Sequence, residues 1–181
     1  MSLERVDLGI CAAYDYQGDG PTAVVLPGAM LAGMPSVFFA FSPLLDRGWR
    51  VVLLWWEYVD READPWQFVR ERADAALAHT GGADMLIGKS LGTLGAPIDV
   101  PAAWLTPLLT EPDVVDALRT RTAPSLFVGG TDDPAWDAAV GRELGEVLEL
   151  EGADHGLARM DHAQQIADAV AAFSGGLGLR A

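Results

Sequence analysis

The chain predicts an α/β fold, a doubly wound and mostly parallel sheet flanked by helices on both faces. Three observations carry this expectation. Short runs that are apolar throughout recur along the chain, among them Ala23 to Leu26, Val51 to Trp56 and Met85 to Ile87. Strands of that kind are covered on both faces, whereas a half-exposed antiparallel strand alternates apolar and polar residues. Segments of helix length with one apolar face separate the runs, which is the pattern of parallel strands joined by crossovers. Finally, 181 residues with 50% hydrophobic content suffice for a single domain with a real core and leave no room for a second.

From Leu3 to Tyr16 the rhythm is different. Val6, Leu8 and Ile10 alternate with Asp7 and Gly9, so residues 1–20 are expected to form an antiparallel edge strand or hairpin. Gln17 to Pro21 is a turn. Ala23 to Leu26 is a buried strand closed by Pro27 and Gly28. Met34 to Leu45 is a helix, with Pro35 suited to its first turn and Gly48 stopping the segment. Val51 to Trp56 is the next strand. Asp64 and Pro65 open a helix through His79 on Trp66, Val69, Ala73, Ala76 and Leu77, and Gly81 and Gly82 end it. Met85 to Ile87 is a strand running into a short helix from Leu91, and Ala102 to Leu105 another strand. Glu111 to Arg119 is a helix, Ser125 to Val128 a strand, Pro134 to Leu144 a helix and Val147 to Leu150 the last strand. Asp161 to Phe173 is the last helix, on Ile166, Ala169, Val170 and Phe173, and residues 174–181 read as a loose tail.

Charge and cysteine content narrow the classes of function. Lys and Arg number 12 against 26 Asp and Glu, a net charge of −14. A surface this acidic repels phosphate backbones and anionic lipid, so neither nucleic acid nor membrane is an expected partner. Cys11 is the only cysteine, which rules out an internal disulfide and any site needing several thiolates. No apolar run approaches the ~20 residues of a membrane helix. Glu4, Arg5 and Asp7 have no apolar core behind them, so no secretory signal is visible and a cytoplasmic location is expected.

In a sheet of this kind functional groups collect on the loops at the carboxyl ends of the strands. One such loop reads Gly88-Lys89-Ser90-Leu91-Gly92, a G-x-S-x-G between a strand and a helix. A nucleophilic serine projects from a sharp turn there, and the glycines let strand and helix approach. Gly-Lys-Ser also ends a phosphate-binding loop, but that motif needs a glycine where Ala83 stands, and strand residues fill the would-be loop. A nucleotide cofactor is therefore not expected, and no residue cluster has metal-ligand spacing.

A serine hydroxyl needs a base. Of three histidines, His79 lies in the last turn of a helix, where it suits the macrodipole, and His162 at a helix start reads as a surface residue. His155, between Asp154 and Gly156 after the last strand, is at the correct end of the sheet. The base in turn needs an acid, and the loop after Val128 offers Asp132 and Asp133, of which Asp133 before Pro134 also suits a helix cap. Trp55, Trp56, Tyr58 and Trp104 are candidates for pocket lining or for core. Lys89 is expected to be structural or solvated.

At these residues the chain resembles the α/β-hydrolase superfamily over nearly its whole length. Ser90, Asp133 and His155 stand in that family's order of nucleophile, acid and histidine, each after a strand. The family's Gly-x-x-Asp pattern, met here by Gly130 to Asp133, implies Asp133 as the acid with Asp132 in reserve. The resemblance further implies an oxyanion hole from the backbone amides of Leu91 and of Ala29, with Met30 the alternative, in a loop where Pro27 replaces a frequent histidine. Only Thr106 to Thr110 separate a strand from the next helix where family members often carry a cap domain, so a capless α/β-hydrolase fold is expected. The implied function is a serine hydrolase acting on an ester or thioester of a small acyl substrate, with no cofactor. A lyase or acyltransferase on the same scaffold, or a binding domain that retains the three residues, are the alternatives.

Overall fold

The apolar runs lie side by side. The computed structural model describes residues 2–29, 35–58 and 64–179, and among them eight strands form one sheet. The strands are β1 (Leu3–Asp7), β2 (Ala12–Tyr16), β3 (Thr22–Leu26), β4 (Arg50–Trp55), β5 (Met85–Lys89), β6 (Ala102–Leu105), β7 (Ser125–Gly130) and β8 (Glu146–Leu150). Their spatial order is β1-β2-β4-β3-β5-β6-β7-β8. β1 and β2 form a hairpin antiparallel to the rest, and β4 through β8 run parallel with β3. This is the expected doubly wound sheet with an antiparallel edge.

Five described helices cover it: α1 (Pro35–Asp46), α2 (Pro65–Thr80), α3 (Pro112–Arg119), α4 (Ala138–Leu144) and α5 (Met160–Gly176). The two-residue period of the strands divides the core. Val25, Ile87, Leu105 and Val128 face α1 and α5, while Val24, Leu86, Trp104 and Phe127 face α2 and α3. All eight are at most 1% exposed, and each such side chain contributes ~1.5–3 kcal/mol by leaving water. Helix ends obey local rules. Asp64 accepts from the Trp66 and Gln67 amides, Pro65 opens α2, and Gly81 closes it at φ 79°.

Three expectations are corrected. α4 begins at Ala138, not Pro134, because the Asp137 carboxylate caps the Ala139 and Val140 amides and Asp133 is engaged elsewhere. α5 continues to Gly176, where Arg47 from the end of α1 binds the Ala171 carbonyl at 2.6 Å and the Ser174 hydroxyl at 2.9 Å. His162 is 4% exposed rather than on the surface; it lies four residues before Ile166 and eight before Val170, on the stripe that faces the core. His79 meets a partner the sequence did not suggest. Its Nε2 lies 2.9 Å from a carboxylate oxygen of Asp15, a fully buried residue of β2 that also accepts from Arg50 at 3.1 and 2.6 Å. No described helix is long and apolar enough to cross a membrane.

The pairing register aligns the carboxyl ends of the central strands. Leu26 pairs with Gly88 and Lys89 with Leu105, so the loops after β3, β5 and β6 open on one edge of the sheet. β7 and β8 end together at Gly130 and Leu150.

Candidate active site

Ser90 follows the last residue of β5 and starts a 3₁₀ turn, Ser90–Gly95. Its φ is 50°, a left-handed conformation that costs a residue other than glycine ~1–3 kcal/mol and persists only where the surroundings enforce it. The surroundings are tight. A Cβ on Gly92 would lie 2.1 Å from the Leu26 carbonyl oxygen, and one on Gly88 would lie 2.6 Å from the Trp104 ring. Both glycines of the G-x-S-x-G are therefore demanded by contact, and the turn presents the serine hydroxyl above the sheet.

His155 comes from the loop after β8 and Asp133 from the loop after β7. His155 Nε2 is 2.8 Å from Ser90 Oγ, and Nδ1 is 2.9 Å from both oxygens of Asp133. A carboxylate only accepts, so Nδ1 carries the proton and Nε2 offers its lone pair to the serine hydroxyl. The Asp133 side chain is wholly buried and also accepts the Ala135 N–H at 2.9 Å. Burial works against its charge, but the His155 hydrogen bond, the Ala135 amide and the nearby Lys89 ammonium outweigh it and hold the carboxyl below the usual carboxylate range. Asp132 is exposed, with its amide on the Ala153 carbonyl, and has no hydrogen bond to the imidazole among the described residues. The histidine side chain is 40% exposed, so the three residues run from a dry carboxylate to a solvent-facing imidazole.

The loop after β3 passes beside the serine. A Cβ on Gly28 would lie 3.6 Å from Ser90 Cβ. The Trp56 indole N–H donates to the Gly28 carbonyl at 2.8 Å, and the Tyr58 amide to the Ala29 carbonyl at 2.7 Å. In a trans peptide the C=O and the following N–H point in opposite directions. Fixing the Gly28 carbonyl on Trp56 therefore turns the Ala29 amide the other way. Among the described residues neither the Ala29 nor the Leu91 amide has a hydrogen-bond acceptor. Met30 lies outside the described residues.

No protein-family model matches the chain, and no curated protein does. Solved structures do. The chain is similar to Est1E from Butyrivibrio proteoclasticus, with TM-score 0.77 and 12% identity over 98% of this chain and 99% of that one. It is similar to an alpha-beta serine hydrolase homologue from Coxiella burnetii, with TM-score 0.72 and 13% identity over 94% and 96%. The esterase domain of a Rhodothermus marinus protein superposes with TM-score 0.71 and 16% identity over 92% and 93%. The chain has the α/β-hydrolase fold. Among the described residues it carries no cap domain: between β6 and α3 lie only the turn residues from Thr106 to Glu111.

Within this α/β-hydrolase fold several residues do work that the sequence did not announce. Trp56, a candidate for pocket lining or for core, is in the core, and its indole N–H also holds the Gly28 carbonyl of the loop after β3. Trp104 is fully buried, donating from Nε1 to Ser125 Oγ at 3.3 Å, and Trp55 sits edge-on to Tyr14 at the hairpin. Lys89 is not solvated. It is 3% exposed, and its ammonium donates to Thr106 Oγ1 at 2.9 Å and to the His155 carbonyl at 2.7 Å. The signal for this was present: Lys89 stands two residues after Ile87 and so shares its inward face.

Proposed function

We propose that this protein is a serine hydrolase that cleaves a carboxylic ester or thioester of a small substrate through an acyl-enzyme on Ser90. The observation that carries the proposal is the continuous hydrogen-bonded path from Asp133 through His155 to Ser90, 2.9 and then 2.8 Å, at the carboxyl edge of the sheet. In this mechanism Nε2 takes the hydroxyl proton as Oγ attacks the acyl carbon. The tetrahedral oxyanion is held by the Ala29 and Leu91 amides, each such donor contributing ~2.7–4 kcal/mol of transition-state stabilisation. The imidazolium, steadied by Asp133, then gives its proton to the departing alcohol or thiol. His155 next deprotonates a water that attacks the acyl-enzyme, and the carboxylic acid leaves as Ser90 recovers its proton. The likeness to esterases supports this chemistry, as does Est1E having been solved with ferulic acid bound. The uncapped edge suits substrates selected by short loops.

The test is fluorophosphonate labelling mapped to a residue, joined to a panel of p-nitrophenyl esters, thioesters of graded acyl length and a ferulate ester. Wild type should label on Ser90 and turn over at least one of them. Ser90→Ala should keep its fold and lose ~10⁴-fold or more in kcat. A folded wild-type protein whose Ser90 does not label refutes the proposal. Labelling without turnover of any acyl ester or thioester refutes hydrolysis and points to acyl transfer.

A further inference from the structure

Lys89 immediately precedes the serine, yet its side chain leaves on the opposite face of β5, the face occupied by Ile87, α1 and α5. Burying an ammonium is unfavourable unless its protons are satisfied, and burial here pushes the group down to about 8 against the pull of Asp133 and Asp154. Methionine or leucine would fill the same space without that penalty. Two acceptors meet the ammonium. Thr106 is fully buried just past β6 and is held at φ 42°, with its amide on the Val128 carbonyl at 2.7 Å. The other acceptor is the main-chain carbonyl of His155 itself, at 2.7 Å. Among the described residues nothing else donates to that carbonyl, and the next one along, Gly156, accepts from the buried Ser36 hydroxyl at 3.3 Å. The ends of β5 and β6 and the loop after β8 thus converge on one ammonium.

We propose that Lys89 is a positioning residue for the base: its ammonium, seated on Thr106, pins the His155 main chain so that the imidazole stays between Ser90 and Asp133. The inference rests on the hydrolase reading and adds to it a fixed point 66 residues of chain away from the base it serves. Without the pin the loop keeps its Asp154 turn, in which the Gly156 and Leu157 amides bind the Asp154 carboxylate at 2.9 and 3.2 Å. The imidazole then samples positions off the serine, and a misplacement of ~1 Å lowers the rate ~100-fold.

The experiment compares wild type with Lys89→Met by thermal melting, by kcat and KM on p-nitrophenyl acetate, by the rate of fluorophosphonate labelling, and by the downfield proton resonance of the imidazole N–H held by Asp133. Lys89→Met should fold with a stability close to that of wild type, because relief of the buried charge offsets the donor lost by Thr106 and the His155 carbonyl. Its kcat and labelling rate should fall ~100-fold with KM within ~3-fold, and the imidazole resonance should broaden or vanish. Should Lys89→Met not fold, Lys89→Gln takes its place; its amide ends one bond short of the lysine nitrogen and so cannot hold Thr106 and the His155 carbonyl together. A folded variant with wild-type labelling and an unchanged imidazole resonance overturns the proposal, as does a loss confined to KM. Failure of both variants to fold makes Lys89 a core residue and overturns it too. If wild type itself neither labels nor turns over substrate, the hydrolase reading has failed and this inference goes with it.

Discussion

Replacing Asp133 by asparagine reverses the imidazole without emptying the site. The Ala135 N–H donates to Oδ1 of Asp133, so in Asp133→Asn the amide oxygen is drawn to that donor and the NH₂ group takes the place of Oδ2, 2.9 Å from His155 Nδ1. Two donors cannot face each other. His155 therefore moves its proton to Nε2, the nitrogen 2.8 Å from Ser90 Oγ, where it can no longer accept the serine hydroxyl. Loss of the correct tautomer lowers kcat by ~10⁴ in serine enzymes of this design, about 5 kcal/mol of barrier. Asp132→Asn changes an exposed residue with no bond to the imidazole and should stay within ~3-fold of wild type. The assay is steady-state hydrolysis of the best ester from the panel, with thermal melts to show that both variants are folded. Asp133→Asn within ~10-fold of wild type, or a larger loss from Asp132→Asn, refutes the reasoning.

Trp56→Phe removes the indole N–H from the Gly28 carbonyl; kcat should fall ~10-fold or more at nearly constant KM as the Ala29 amide loses its aim, measured on the same ester. Asp15→Asn breaks a buried carboxylate away from Arg50 and His79, whose side chains are 22% and 29% exposed. The partial exposure of the partners brings the expected loss to about 2–3 kcal/mol, a fall of about 8 °C in Tm for a chain of this size. Although burial opposes its charge, Asp15 is held below the usual carboxylate range by Arg50 and His79. Its contribution is thus complete above pH ~4, where the unfolded carboxyl is ionised, and fades as pH falls through the lower folded value. Melts of wild type and Asp15→Asn should converge at acid pH, and a constant gap between them would contradict this assignment.

The sheet was legible because its central strands are apolar on both faces, and no other common element produces such short, unbroken runs between amphipathic helices. The serine was legible because its turn needs Gly88 and Gly92 against Trp104 and Leu26. Asp133 and Asp132 were separated in the sequence only by a family pattern; the structure separates them by burial and by the Ala135 amide. What stayed hidden has a common cause. Lys89, Trp56 and Ser36 act on main-chain carbonyls that are 66, 28 and 120 residues away, and a carbonyl leaves no mark in a sequence. Asp15 and His79 escaped for a related reason, since period-two alternation says which face a strand residue uses and not what waits there.

In the proposed triad Ser90 and Asp133 follow β5 and β7, strands with a neighbour on each side, but His155 follows β8, which pairs with β7 alone. Outer strands open at a lower free energy than the whole molecule unfolds. Heat can therefore part β8 from the sheet and carry His155 off Ser90 while every other strand stays paired. Under the proposed function the ceiling on the working temperature then depends on this ladder of bonds, from Leu126 on Glu146 to Gly130 on Leu150, together with the Lys89 hold on the His155 carbonyl. A graft that strengthens this seam would lengthen the life of the chemistry even if the calorimeter saw no change in the fold.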